Sequence, residues 1–149
     1  MTWILSYPEL VCTIAGWFVS SILKIPVFYF LNKKIDLKLA FGTGGMPSSH
    51  SGLMVSTTLG IGLFSGFNSP VFALAVAISM IVLYDAAGVR RQAGIHAERI
   101  NMIFEELWKG NPINEAELKE MLGHTPLEVL GGTLTGILTA LFVWLVWPK

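Results

Sequence analysis

The stretch LVCTIAGWFVSSILKIPVFYFL, residues 10–31, decides the class of fold. As a helix its 22 residues rise about 33 Å, enough to cross a hydrocarbon core of roughly 30 Å. Only Lys24 and Pro26 interrupt it. A secretory leader would open on basic side chains, and none stands in residues 1–10, so a retained span is expected.

Working outward, Ser51 to Phe67 reads as a second span and Pro70 to Gly88 as a third. The turn Gly66-Phe67-Asn68-Ser69-Pro70 joins them into a hairpin. A last span runs from about Thr125 to Trp147, with Trp144 and Trp147 where interfacial anchors belong. Small residues recur at four-residue spacing in Ser56/Gly60, Gly62/Gly66 and Gly132/Gly136, which favours close helix–helix approach. Between the third and fourth spans, Ala93 to Trp108 has a helical period: Ile95, Ile100, Ile103, Phe104, Leu107 and Trp108 are separated by Glu98, Glu105 and Glu106. Acids outnumber bases on it, so packing over the bundle or against a second copy suits it better than an anionic lipid surface. Asn111-Pro112 breaks it, and Asn114 caps a short helix over Glu115 to Leu122, with Glu117 completing a capping box.

Composition agrees. Of 149 residues 53% are hydrophobic and 13% charged, about half the charged share of a soluble domain. Mean hydropathy is +0.63. That apolar content excludes a disordered chain, and with ten acids balancing ten bases nothing could form the broad basic face of a nucleic-acid binder. The single cysteine, Cys12, excludes a disulfide framework or a cysteine-built metal site. The expectation is all-α: one membrane-embedded domain over residues 1–149, a small polytopic bundle of about four transmembrane helices with one or two amphipathic helices on the cytoplasmic side.

That topology sets Lys33, Lys34, Lys38, Arg90, Arg91, Arg99, Lys109 and Lys119 on one side and Lys149 on the other. Bases mark the cytoplasmic side, so an integral protein, of the plasma membrane, with most loops inside is expected.

All three histidines and the paired arginines fall on the basic side. Ionisable residues are scarce in such a chain and point to function. Gly44-Gly45-Met46-Pro47-Ser48-Ser49-His50-Ser51 directly precedes a span, where free N–H groups at a helix start attract an anion. Arg90 and Arg91 end the third span, and guanidinium forks match phosphate oxygens. His124 and Glu128, four apart, share a helix face, so the carboxylate can hold an imidazole proton. Together these pieces make an acid and a nucleophile around a phosphoryl group. Each alone has a plainer reading: an interfacial histidine as a polar tip, an arginine pair as a topology signal, Glu128 as a first-turn acid. The joint pattern favours chemistry.

Gly-Gly-Met-Pro-Ser-Ser-His-Ser at 44–51, Tyr-Asp-Ala-Ala-Gly-Val-Arg-Arg-Gln-Ala-Gly at 84–94 and Leu-Gly-His-Thr-Pro-Leu-Glu-Val at 122–129 resemble the divergent branch of the type 2 phosphatidic-acid phosphatase family, also called acid phosphatase/vanadium-dependent haloperoxidase-related. The resemblance covers nearly the whole chain. It implies a membrane lipid-phosphate phosphatase that cleaves a phosphomonoester or diphosphate through a phosphohistidine, with neither metal nor cofactor.

By that resemblance Pro47-Ser48-Ser49-His50 stands for the family's Pro-Ser-Gly-His, and His50 protonates the leaving oxygen. His124 attacks phosphorus and Glu128 holds it, glutamate replacing the family's aspartate. The motif's arginine would be Arg90 or Arg91, although more than 30 residues then separate it from His124 where the family has only a few. His96 stands six after Arg90, the family interval, but Ile100 occupies the acid's place four beyond it. The family's Lys…Arg-Pro motif is absent as such. Lys24 is the best surviving phosphate ligand and Lys38 the second; snorkelling is the plainer reading of Lys24. Backbone groups around Ser48 and Ser49 join the cradle, and Asp85 orients an arginine.

The expected partners are the bilayer, a phosphorylated lipid and a second copy of the chain, since about four short helices are few to enclose a site. Two alternatives stay open: a non-catalytic protein that binds or transports a phosphorylated lipid or small solute, and a zinc site from His50, His96 and His124.

Overall fold

The computed structural model describes residues 6–40, 42, 44–107 and 123–148, apart from the side chains of residues 38 and 105–107. The short helix expected over 115–122, its cap Asn114, the end of the amphipathic stretch at Trp108 and the Lys38 side chain lie outside what is described. The described residues form five α-helices: α1 (Pro8–Asn32), α2 (Ser49–Ser65), α3 (Pro70–Ala87), α4 (Val89–Leu107) and α5 (Pro126–Val146), with a 3-10 turn at Leu37–Ala40 after α1. No strand occurs among the described residues.

Local chemistry sets the helix starts. Ser48 begins α2 by accepting the Ser51 N–H, and Ser69 begins α3 by accepting that of Phe72, with Pro70 in the first turn where no N–H is missed. Thr125 begins α5 with a full capping box to Glu128, again with a proline next. Pro26 sits inside α1, which continues to Asn32 and closes with Lys33 in the left-handed region.

Small side chains hold the bundle. Helix α2 lies in the middle, packed on α1, α3 and α5. A Cβ added to Gly16 would strike Ser56 and the Gly52 carbonyl, and one added to Gly60 would strike Cys12. From α5, Gly132 lies on the Ser48 backbone and Gly136 on the Gly52 carbonyl and Val55. These contacts run α1 antiparallel and α5 parallel to α2. Gly62 departs from the expectation of helix–helix approach: the Phe67 ring from the following turn fills its space.

The distribution of polarity is the reverse of a water-soluble protein. Phe18, Ile22, Leu74, Ile78, Ile81, Leu134, Leu138 and Phe142 face outward, while Ser20, Ser21, Lys24, Ser48, Ser51 and Ser56 are buried. Lipid removes the usual drive to hide large apolar side chains, so close packing of small ones shapes the interior.

Among the described residues three helices are long and apolar enough to cross a membrane: Pro8–Asn32, the rod Pro70–Phe104 formed by α3 running into α4, and Pro126–Val146. Helix α2, the remaining expected span, has 17 residues. Its length of about 25 Å falls at the short end for crossing. The reason is visible in its composition, because the serines, threonines and glycines that let three helices approach it also lower its hydropathy. The amphipathic stretch begins at Val89, four residues before its expected start. Gly94 and Ala97 are its buried positions, whereas Ile100, Ile103 and Phe104 are exposed.

Candidate functional site

The C-terminal ends of α1 and α3 and the N-terminal ends of α2 and α5 meet at one end of the bundle. The three blocks singled out in the sequence, 44–51, 84–94 and 122–129, come together there, with Lys24 of α1 beside them.

His124 is only 4% exposed. Its backbone N–H donates to the Ala86 carbonyl at 2.9 Å, tying the start of α5 to the end of α3. Its Nδ1 is 3.0 Å from Glu128 Oε2. The same oxygen accepts the Thr125 N–H at 3.2 Å, so one carboxylate both caps the helix and holds the imidazole. The Glu128 carbonyl in turn accepts the Ser48 N–H at 2.9 Å, locking the starts of α2 and α5 together. His50, the second residue of α2, lies with its ring centroid 5.8 Å from that of His124.

Gly123 makes the approach of these segments feasible. Its φ is +104°, and a Cβ there would strike the backbone of Arg90 and Arg91. Arginines and histidine more than 30 residues apart in sequence are thereby neighbours in space. The two arginines diverge: Arg90 Nε donates to Asp85 Oδ2 at 2.7 Å, whereas Arg91 lines a cavity of about 210 Å³ together with His124. The loop contributes Gly44 and Gly45 to that cavity, α4 contributes Gly94, Ile95 and Glu98, and the start of α5 adds Gly123, Thr125 and Glu128. Both loop glycines have positive φ, a conformation other residues adopt at a cost.

Lys24 is 1% exposed, below this loop. Its Nζ donates to the Gly42 carbonyl at 3.0 Å. A lysine two residues before Pro26 is thus held inside the protein rather than reaching for the interface. Ser48 is committed to structure: its N–H goes to Glu128 and its hydroxyl accepts from the Ser51 N–H and hydroxyl. That corrects the expectation that Ser48 offers an amide to an anion. Ser49, which is buried, and His50, which is exposed, follow, and their first-turn N–H groups make no hydrogen bond to any described residue.

The His50 imidazole is held below its usual range, first by partial burial and then by the neighbouring His124, Arg90 and Lys24, with Asp85 opposing. His96 is elsewhere. It lines a separate open groove of about 500 Å³ with Tyr84, Gly88, Val89, Gln92 and Ala93. Among the described residues no three of His, Cys, Asp and Glu are grouped to hold a metal, so the three histidines do not form one ligand set.

Sequence reasoning missed Glu98, Gly94 and Gly123. Arg91, Gly94, Ile95 and Glu98 stand at i, i+3, i+4 and i+7, a spacing that already placed them on one helix face.

An all-helical membrane bundle that gathers histidines, arginines and a capped carboxylate at one end is the class defined here. The chain belongs to the divergent PAP2 family: the family model so described matches residues 5–139. It is a membrane protein of phosphatase-related ancestry. A relative, the uncharacterized membrane protein YuiD of Bacillus subtilis (strain 168), is 37% identical over 145 residues, covering 89% of this chain and 90% of that protein. No solved structure matches the chain.

Proposed function

We propose that this protein is a lipid-phosphate phosphatase, a single unit over residues 1–149, that cleaves a phosphomonoester or diphosphate through a phosphohistidine. The observation that carries the reading is the His124–Glu128 pair, with Nδ1 held at 3.0 Å and the His50 ring alongside at 5.8 Å. Because Glu128 occupies Nδ1, Nε2 keeps the lone pair that can attack phosphorus.

In the first step a bond forms from His124 Nε2 to phosphorus, the bond to the leaving oxygen breaks, and His50 gives that oxygen a proton. In the second, His50 takes a proton from water, whose oxygen attacks phosphorus and releases His124. Arg91, facing the cavity, binds the phosphoryl oxygens as charge spreads over them, joined by the Ser49 and His50 amides. Asp85 orients Arg90, which adds positive potential beside His50. Lys24 contributes its charge from beneath Gly45, Lys38 stands second for that role, and His96, in its separate groove, takes no catalytic part. The cycle calls for no metal or cofactor.

A phosphate at the bundle end with its acyl or prenyl chain alongside the outward apolar faces suits a lipid substrate. The positive-inside rule puts that end at the cytoplasmic face, in bacteria-like topology the inner side of the plasma membrane. A second copy of the chain would cover the exposed apolar residues of α4.

The test is phosphate release from a panel of lipid phosphates by the purified protein in detergent with EDTA. Release that survives chelation and is lost in His124→Ala and His50→Ala supports the reading. Absence of release from every lipid by folded protein would favour a binding or transport role.

A further inference from the structure

The 210 Å³ cavity beside His124 holds two charged side chains with no hydrogen bond or ion pair to any described residue, Arg91 and Glu98. They stand two turns apart on the face of α4 that covers the cavity, and Ile95 lies between them. The remaining carboxylate, Glu128, is already engaged by His124 and Thr125. A phosphate drawn in by Arg91 therefore meets Glu98 as a like charge. The repulsion becomes an attraction if the ligand carries its own O–H or N–H donor on the side away from the phosphate, because a carboxylate accepts such bonds strongly. The volume corresponds to about seven waters at roughly 30 Å³ each, room for a phosphoryl group and a short polar stub.

We infer that Glu98 is a specificity-determining residue, which selects phosphate esters bearing a hydroxyl or ammonium donor a few bonds from phosphorus over those with an apolar stub. The inference rests on reading this cavity as the phosphate site and adds the class of headgroup to it. Glu98 takes no part in the phosphoryl transfer itself.

Three probes of similar size separate the cases: glycerol 3-phosphate, 3-aminopropyl phosphate and propyl phosphate. Their binding to the full chain in detergent is measured by calorimetry, with phosphate release followed in the same samples. Wild type should bind the two donor-bearing probes about tenfold more tightly than propyl phosphate, as expected for a hydrogen bond to a charged group. Glu98→Ala should erase that preference, while Glu98→Gln should keep part of it for the hydroxyl and lose it for the ammonium. Both changes lie on an exposed helix face, and unchanged melting temperatures would confirm folded variants.

A donor preference that persists in Glu98→Ala, or no preference in wild type, overturns the inference. Failure of all three probes to bind overturns it together with the phosphate site. Preference lost in Glu98→Ala, but without release of phosphate from any probe or lipid, upholds the inference and counts against the phosphatase reading alone.

Discussion

Glu128 Oε2 receives both the His124 ring and the Thr125 N–H, so one side chain sets a helix start and a tautomer at once. His50 has no such carboxylate, and partial burial among positive groups keeps its imidazole neutral to lower pH than usual. The sign of its pH effect follows. A general acid must carry its proton, so kcat/KM on a lipid phosphate should fall as pH rises through the His50 value, below the ordinary imidazole figure of about 6.5. His50→Ala should remove that limb and lower the rate by roughly 10²-fold or more, the usual worth of a positioned acid. A limb above the ordinary imidazole range that survives the substitution would contradict the role. The Thr125-x-x-Glu128 capping box was open to reading from spacing alone, and so was the His124–Glu128 face. The bond from His124 N–H to Ala86 was not, because nothing local in residues 122–129 announces a partner in the 84–94 block.

At the scale of elements, α2 is held by backbone-close contacts, and they differ in what a methyl group would meet. A Cβ on Gly132 is driven into the Ser48 carbonyl, main chain already fixed by the Ser48–Glu128 bond. A Cβ on Gly62 meets only the Phe67 ring, which can rotate away in an exposed turn. Gly132→Ala should therefore destabilise the protein by about 1–3 kcal/mol, the usual cost of overpacking, and Gly62→Ala by clearly less. Melting in detergent checks this, and equal losses in the two variants would refute the account of α2–α5 packing. The four-residue spacing of small side chains made these interfaces legible. It could not tell Gly132, which faces a helix, from Gly62, which faces its own turn. Nor could the period of α4 reveal Glu98: a charge between apolar residues reads as solvated until Gly123 and His124 arrive on the same face.

For the whole molecule, every group assigned to the chemistry lies at one end of the bundle, and Glu9, Ser65 and Trp147 mark the other. Lys33 and Lys34 share the first end, so the proposed orientation, with bases on the inner side, sets that end inside the cell. The buried and solitary Cys12 leaves the chain nearly silent to thiol reagents, so single cysteines can report orientation. Asn68→Cys should react with an impermeant maleimide on intact cells, and Lys34→Cys only after permeabilisation; the reverse pattern would invert the topology. The membrane class and the helical architecture were legible because apolar length is a strong signal. The convergence of residues 44–50, 85–91 and 123–128 was not, since it depends on which helices pack on α2. That convergence is what makes the separate motifs one candidate site, and the proposed phosphoryl transfer rests on it. Its central claim is tested most directly by quenching turnover on a lipid phosphate and locating the phosphoryl group by peptide mass spectrometry under conditions that preserve phosphohistidine. The account predicts the adduct on His124, absent in His124→Ala; an adduct on His96, or continued turnover in His124→Ala, would contradict it.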